Sequence, residues 1–439
     1  MVNCLIVGHG AREHVIGETL VRGGADLFSF MSFKNAGLED LSKDIKIHSE
    51  TDFQEILEFS RIKKIDFAVI GPEAPLVVGI VDALEKGGIP CVGPKIEAAQ
   101  LEGSKIFTRD LLDKYKISSN LISKTFDSME GVESYIKEMG EDNIVVKPEG
   151  LTGGKGVMVY GDHLFSISDI LGYCEDLVKS KSRFILEEKC DGEEFTLQAF
   201  VDGKNVIGSP LVQDHKRAYE GDNGPNTGGM GSYSLQDHLM PFITQDDVGE
   251  SLEDMKKTVA AVKAETGVEY KGFLYGQFMK TAKGLKLIEF NARFGDPEAM
   301  NVLPLLTSNF VEICWDIING SLSNNIEFVK KATVCKYLAP EGYPENPKRD
   351  ETIEIDQNKL KQFGAKYYYA SVYREGENIY TTTSRAMGVL GIADTLDRAE
   401  QIAEAGVGCI KGKLFHRRDV GTQELLQKRI DHMNSLYNK

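Results

Sequence analysis

The chain has 439 residues and a formal net charge of −16; that charge excludes a broad nucleic-acid or acidic-membrane surface, which needs clustered cations, but not a local site for one small anion. Hydrophobic content of 41% and charged content of 27% are ordinary for a water-soluble chain of roughly two to four domains. Seven scattered cysteines with no C-x-x-C pair, a start "MVNCLIVGHGAREH" unlike a signal peptide, and no run of about 18 apolar residues point to a protein of the reducing cytoplasm without a membrane span.

The first hundred residues alternate strand and helix. "NCLIVG" (3–8) reads as a strand, followed by a helix from about Arg12 to Arg22. "TDFQEILEFSRIKK" opens with capping-box spacing, Thr51 to Gln54. "IDFAVIG" (65–71) reads as a buried strand, 75–88 as one helix stopped by glycines, and "IPCVG" (89–93) as a further strand. This order predicts a doubly wound parallel sheet, with ligand-binding turns at "GHGARE" and "GPEAPL" beyond the strand ends. Near Ser104 the pattern changes to a helix, then to strands and helices through "NIVVKPE" and "SRFILEEK". Strands dominate from Glu194 to Asn291, broken by a polar loop at 214–232 and a helix at "SLEDMKKTVAAVKAE". A last section begins near Lys330, with strands at "AKYYYASVYR", "NIYTTT" and "RAMGVLGIA" and a helix from Thr395. The expected domains are 1–103, 104–329 with a mobile lid at about 126–191, and 330–439.

Several stretches carry chemistry. "VVKPEGLTGGKGVMVY" (145–160) resembles a P-loop, but Glu149 stands where that pattern needs glycine and Gly156 where it needs a hydroxyl. Because it joins two strands, it reads as a hairpin flap whose backbone N–H groups wrap phosphate, with Lys147 before it as a point charge. "FILEEKCDGEEFT" (184–196) offers strand, linker and carboxylates to an adenine and its ribose. In "LIEFNARFGDPE" (287–298), Glu289 and Asn291 share one strand face, which suits Mg²⁺. The long loop "QDHKRAYEGDNGPNTGGMGSYS" (213–234) brings both signs of charge, fitting a zwitterionic substrate. "GHGARE" carries Glu13 in place of the third glycine of a dinucleotide fingerprint, so a mononucleotide-like phosphate fits that turn better. His215 lacks the G-x-S-x-G elbow of a triad enzyme, and the histidines are too dispersed for zinc.

Together, "REH", "GPEAPL", "AAQLEGSK", "KPEGLTGGKGV", "QDHKR", "GPNTGGMG" and "EFNARFGDPE" resemble, in order, the phosphoribosylamine–glycine ligase family of the ATP-grasp superfamily. The resemblance implies an α/β ATP-grasp fold with an N-terminal doubly wound, Rossmann-like domain and a small C-terminal α+β domain. It implies a cytoplasmic, monomeric ligase using ATP with Mg²⁺ or Mn²⁺, glycine and 5-phosphoribosylamine. Carried over by position, Lys105, Lys147, Gly150, Gly153, Gly154, Gly156, Glu187, Glu188 and Glu194 would bind ATP. Gln277, Glu289 and Asn291 would hold metal. Gly10, Arg12, Asn35, Gly37, Glu73 and Pro75 would take the sugar phosphate, and Asp214, Lys216 and Arg293 would frame glycine and its acyl phosphate. The chain departs from the family at Pro148–Gly153, where Ala-Asp-Gly-Leu-Ala-Ala is usual, at Gln277, where many relatives are acidic, and at "TTTSRAMGVLGIAD", where Gly-Gly-Arg is common. An ATP-grasp carboxylase that activates bicarbonate is the enzymatic rival. A nucleotide-binding regulator without turnover is the rival from another class.

Overall fold

The computed structural model describes residues 2–151 and 156–438. It begins with β1 (Val2–Val7), α1 (Ala11–Arg22), β2 (Ala25–Met31), α2 (Ala36–Leu41), β3 (Asp44–Ile47), α3 (Phe53–Lys63) and β4 (Phe67–Ile70), then α4 (Glu73–Val77), α5 (Ile80–Lys86) and β5 (Cys91–Val92). The five strands form one parallel sheet in the order β3-β2-β1-β4-β5. β1 and β4 are apolar because helices cover both faces. The half-exposed edge strand β3 escaped the sequence reading because it lacks that apolar signature. Two local expectations are corrected. Asp52, not Thr51, caps α3, accepting from the Glu55 N–H at 3.3 Å. The helix expected over 75–88 is two helices, broken where Gly79 takes a φ of +93°.

α6 (Ile96–Gly103) and α7 (Lys105–Lys114) lead into a four-stranded antiparallel sheet, β6-β9-β7-β8. It is built from β6 (Ser123–Phe126), α8 (Val132–Met139), β7 (Ile144–Pro148), β8 (Met158–Val159), α9 (Ile167–Lys179) and β9 (Phe184–Glu188). This unit has its own core, with Phe126, Ile136, Ile144, Val146, Ile170 and Phe184 buried together. β7 and β8 pair antiparallel, so the glycine-rich stretch does join two strands of a hairpin.

The central sheet, β11-β10-β16-β17, is antiparallel. It contains β10 (Gly192–Asp202), β11 (Val206–Gly208) and, after the intervening segment, β16 (Lys271–Thr281) and β17 (Gly284–Asn291). Between them come β12 (Gln213–Asp214), β13 (Arg217–Tyr219), β14 (Asn223–Asn226), β15 (Gly231–Ser234) and α10 (Gln245–Thr266). The polar loop expected at 214–232 is therefore corrected: about half of it is short paired strand, β12 with β15 and β13 with β14. α11 (Glu298–Val302) and α12 (Phe310–Asn319) follow.

The last section holds β18 (Ala332–Pro340), β19 (Thr352–Ile355), α13 (Gln357–Phe363), β20 (Lys366–Tyr369), β21 (Val372–Glu375), β22 (Asn378–Thr381), β23 (Met387–Ala393), α14 (Leu396–Val407), β24 (Ile410–Lys411), β25 (Leu414–Phe415) and α15 (Gln423–Tyr437). Its main sheet, β12-β15-β18-β23-β20, recruits two strands from the segment before residue 235. The C-terminal section thus shares a sheet with the part that carries "QDHKR". No helix among the described residues is long and apolar enough to cross a membrane.

α1 also docks on β20. Glu18 pairs with Lys366 at 3.0 Å and accepts from the Tyr368 hydroxyl at 2.7 Å, while His14 Nδ1 accepts from the Tyr369 N–H at 2.9 Å. Gly37 is required beside that ring, since a Cβ there would come within 1.9 Å of it. Burial pushes the His14 imidazole down to about 4, Glu18 and Asp40 opposing. An imidazole that is harder to protonate folded than unfolded costs nothing above its unfolded value of about 6.5. Stability is lost as pH falls from about 6.5 to about 4, by roughly 3 kcal/mol at most. His14→Gln, which keeps an acceptor but cannot titrate, should therefore lose less stability than the unaltered chain between pH 7 and pH 4. Denaturant midpoints at the two pH values measure this, and an unchanged difference would show that the ring is not held neutral.

Candidate active site

The site lies where β10, β12, β16 and β17 meet the N-terminal domain. In β17, Glu289 and Asn291 share a face opposite buried Phe290, and Glu289 sits across from Gln277 of β16. A bulge at Ile288 restores this register after Leu287 has entered the core. Neither the Glu289 nor the Asn291 side chain finds a hydrogen-bond partner among the described residues. Two oxygen-bearing side chains left open on one face fit a divalent cation.

Lys216 is the centre of the charge arrangement. Its Nζ donates to Gln277 Oε1 at 2.5 Å and lies 3.8 Å from Glu194 Oε2. Gln277 in turn donates through Nε2 to Glu194. Gln277 is fully buried, and its amide bridges Lys216 and Glu194. Burial would lower the Lys216 ammonium, but Glu194, Asp214, Glu289 and Glu298 outweigh it and hold it above the ordinary lysine value. Burial pushes the Asp214 carboxyl up to about 7 against Lys216, helped by the carboxylates of Glu298, Glu194 and Glu289. Burial would also raise Glu289, yet Lys216, Lys147, Lys105 and Arg293 hold it below its usual range. Glu289 is thus ionised at neutral pH, poised for a cation.

On the lid side, Lys105 follows the α7 cap Ser104 and donates to the Gly150 carbonyl at 2.5 Å. Burial, and then the neighbouring Lys147, hold its ammonium below the ordinary value against the pull of Glu289. Glu149 accepts from Ser104 Oγ and from the Ile106 N–H at 3.1 Å. The flap base is therefore docked on the start of α7. Gly150 and Gly156 take φ of +86° and +92°, which glycine alone adopts freely. Gly153 and Gly154 lie outside the described residues.

Glu187 and Glu188, expected as a linker, lie at the end of strand β9. Glu187 is buried between Arg109 at 2.6 Å and Lys147 at 2.7 Å. Burial would raise its carboxyl, but these two cations hold it at about 2. Glu188 accepts from Lys286 at 2.7 Å and the Ile122 N–H at 2.9 Å, and its own N–H bonds the Ile122 carbonyl. The strand thus continues through both glutamates, and the linker to β10 is Lys189–Asp191.

The N-terminal turn reaches the same place. The Gly10 N–H donates to Glu13 Oε2 at 2.6 Å, and Arg12 donates to Glu13 Oε1 at 2.6 Å and to the Phe294 carbonyl at 3.2 Å. Glu73, at the start of α4, lies 3.9 Å from Arg12 and 3.3 Å from Arg293. Arg293 also meets Glu102 of α6 at 2.9 Å, and Glu102 accepts from the Ala292 N–H at 2.7 Å. Burial would raise Glu73, but Arg293 and Arg12 hold it at about 2; burial takes Glu102 up to about 7 despite Arg293. Asn35 is buried at the start of α2. Its Oδ1 caps α2 and its Nδ2 bonds the His9 and Tyr369 carbonyls, each at 2.8 Å. Gly37 packs under His14 and Pro75 is buried within α4, so both shape the domain rather than present a polar group.

Sequence reasoning missed four contributors. Glu298 accepts from the Tyr275 hydroxyl at 3.0 Å, and burial pushes its carboxyl up. Asp296 accepts from the Tyr337 hydroxyl at 2.5 Å and Arg385 Nη2 at 3.3 Å. Arg385 also donates to the Gly228 and Gly229 carbonyls at 3.0 and 2.7 Å and stacks 4.3 Å over the Tyr337 ring. Glu102 is the fourth. Asp296 and Glu298 stand in the quoted "GDPE", Glu102 in "AAQLEGSK" and Arg385 in "TTTSRAMGVLGIAD", but none of these stretches shows which distant segment its charge meets.

Three models of the phosphoribosylglycinamide synthetase family match the chain: its N domain over 2–102, its ATP-grasp (A) domain over 103–299 and its C domain over 333–423. Helix α15 lies beyond these segments but for its first residue. The phosphoribosylamine–glycine ligase of Pyrococcus abyssi is 50% identical over 432 residues, covering 98% of this chain and 97% of its own. That of Methanocaldococcus jannaschii is 49% identical over 440 residues, 98% of this chain and 99% of its own. The crystal structure of the Thermotoga maritima phosphoribosylamine–glycine ligase superposes with a TM-score of 0.82 at 26% identity, covering 95% of this chain and all of that one. With its parallel N-terminal sheet, the docked base of its flap and the Glu289–Asn291 face in place, the chain belongs to the phosphoribosylglycinamide synthetase family of ATP-grasp ligases.

Proposed function

We propose that the chain ligates glycine to 5-phosphoribosylamine at the expense of ATP, a step of purine biosynthesis. A glycine carboxylate oxygen attacks the γ-phosphorus and ADP leaves, giving glycyl phosphate. The sugar amine then attacks the acyl carbon, inorganic phosphate leaves and the amine loses its proton, giving glycinamide ribonucleotide. The observation that carries this reading is Lys216, set among Asp214, Glu194 and Glu289 with Lys105, Lys147 and Arg293 nearby. Such mixed charge suits a small zwitterion better than bicarbonate.

Lys105, Lys147 and the flap N–H groups position the phosphates, Glu194 takes the ribose, and the linker Lys189–Asp191 meets the base. Asp214 and Lys216 orient the amino and carboxylate groups of glycine, and Arg293, braced by Glu73 and Glu102, faces the acyl phosphate. Gly10, Arg12 and Glu73 line the side from which the sugar phosphate arrives. Glu289 and Asn291 would hold a divalent cation, Mg²⁺ or Mn²⁺, which would supply charge neutralisation for the nucleotide phosphates. No side-chain nucleophile is needed, since positioning and electrostatics carry the rate. Residues 1–103, 104–329 and 330–439 act as three domains, with the unit at about 126–191 closing over the nucleotide.

ADP release should require glycine and phosphoribosylamine together, the amine being generated in the assay from ribose 5-phosphate and ammonia. Bicarbonate replacing glycine at full rate, or indifference to the amine, would move the chain to carboxylase chemistry.

A further inference from the structure

The residues next to the site residues turn away from it, and they converge on the last helix. Adjacent residues of an extended chain face opposite sides, so Glu193 lies behind Glu194, and His215 lies behind Asp214 and Lys216. Arg429 of α15 reaches the first directly and the second through Asp222. Its Nη2 is 2.5 Å from Asp222 Oδ2, and its Nε is 3.4 Å from Glu193 Oε2. Asp222 is also held by Arg417 at 3.0 Å and lies 3.8 Å from His215 Nδ1. One turn along α15, His432 sits over the end of the linker and the start of β10, with Nδ1 2.7 Å from Glu193 Oε1 and Nε2 3.2 Å from Asp191 Oδ1.

Glu193, His215 and Arg429 are enclosed, whereas His432 and Asp191 are 36% and 66% exposed. The Glu193 side chain is 5% exposed, that of His215 is fully buried and that of Arg429 is 18% exposed. The His215 ring stacks on Tyr233 at 5.8 Å, with no other place to go. Asp222 is hydrogen-bonded to this guanidinium and Glu193 is drawn to it by charge, so one side chain ties together carboxylates on two separate segments.

We propose that α15 braces the active site from behind: Arg429 is a positioning residue that sets the nucleotide strand β10 and the "QDHKR" segment at their working separation, and His432 is one that holds only the nucleotide side, the linker end and the start of β10. The inference rests on the reading under Proposed function, which gives those two segments to ATP and glycine. Neither side chain touches substrate. Their loss should misplace both binding halves without removing any contact made in the reaction.

KM for ATP, KM for glycine, kcat and the thermal midpoint test this in the full chain. Arg429→Gln should raise both KM values about tenfold, and Arg429→Lys, a point charge without the fork, should recover only part of that. His432→Ala should raise the ATP KM several-fold while the glycine KM stays within about twofold. A brace that only stabilised the fold would lower the midpoint and the active fraction but leave KM unmoved, since KM does not depend on how much protein is active. Unmoved KM values in Arg429→Gln and His432→Ala would overturn the proposal. Were the unaltered chain's ADP release indifferent to glycine, the functional reading would fall. The ATP KM of His432→Ala would still decide the brace.

Discussion

Glu289→Gln is expected to lower kcat/KM about 100- to 1,000-fold, the cost of removing a preorganised charge from a water-poor site. Glu289 is held ionised by four cations, and its carboxylate has no protein partner among the described residues. The substitution keeps the shape, removes the charge and leaves no hydrogen bond broken, so the fold should survive. The apparent affinity for Mg²⁺ should weaken in parallel, because the carboxylate is the charged member of the pair. Asn291→Ala should do the same to a lesser degree, since water replaces a neutral oxygen more easily. Turnover is followed over a Mg²⁺ titration. Near-normal rates of both variants at limiting Mg²⁺ would place the metal elsewhere.

Lys216→Met should be more damaging still, about 1,000-fold or more in kcat/KM. It removes the counter-charge for Glu194, Asp214, Glu289 and Glu298 at once and strips Gln277 Oε1 of its donor. Stability should fall by only about 1–2 kcal/mol near neutral pH, because the Lys216 side chain is 35% exposed and partly screened. The sign with pH is definite. Burial already places the Asp214 carboxyl at about 7, above its unfolded value, so the folded state binds that proton more tightly. Losing Lys216 raises it further, and the variant's deficit should shrink as pH falls from about 7.5 to about 5.5. Urea midpoints at the two pH values decide this. A deficit that grows on acidification would mean that Lys216 is not the counter-ion of these carboxylates.

The candidate site was legible in unequal parts. Glu289 and Asn291 could be paired from sequence because strand alternation is a local property, and the structure keeps them on one face. The flap, too, could be placed between two strands from its flanking apolar runs. Gln277, Asn35 and Glu187 resemble ligand-binding residues in sequence. Their actual partners are Lys216, the Tyr369 carbonyl and Arg109, 61, 334 and 78 residues away. Their polar atoms are satisfied by distant segments, and a local pattern cannot report that.

The amino-acid sequence by itself determined the alternation of strands and helices, the doubly wound parallel sheet, the glycine hairpin and the family, all of which depend on spacings within a few residues or on short stretches quoted in order. Tertiary structure alone decided which charges oppose one another. The Lys216 network, the Arg293–Glu73–Glu102 junction, the approach of Arg385 to Asp296 and the grip of α15 on β10 each join segments that meet only when the sheets pack. Burial then makes those charges matter, because away from water each requires a partner, and only the folded chain supplies it.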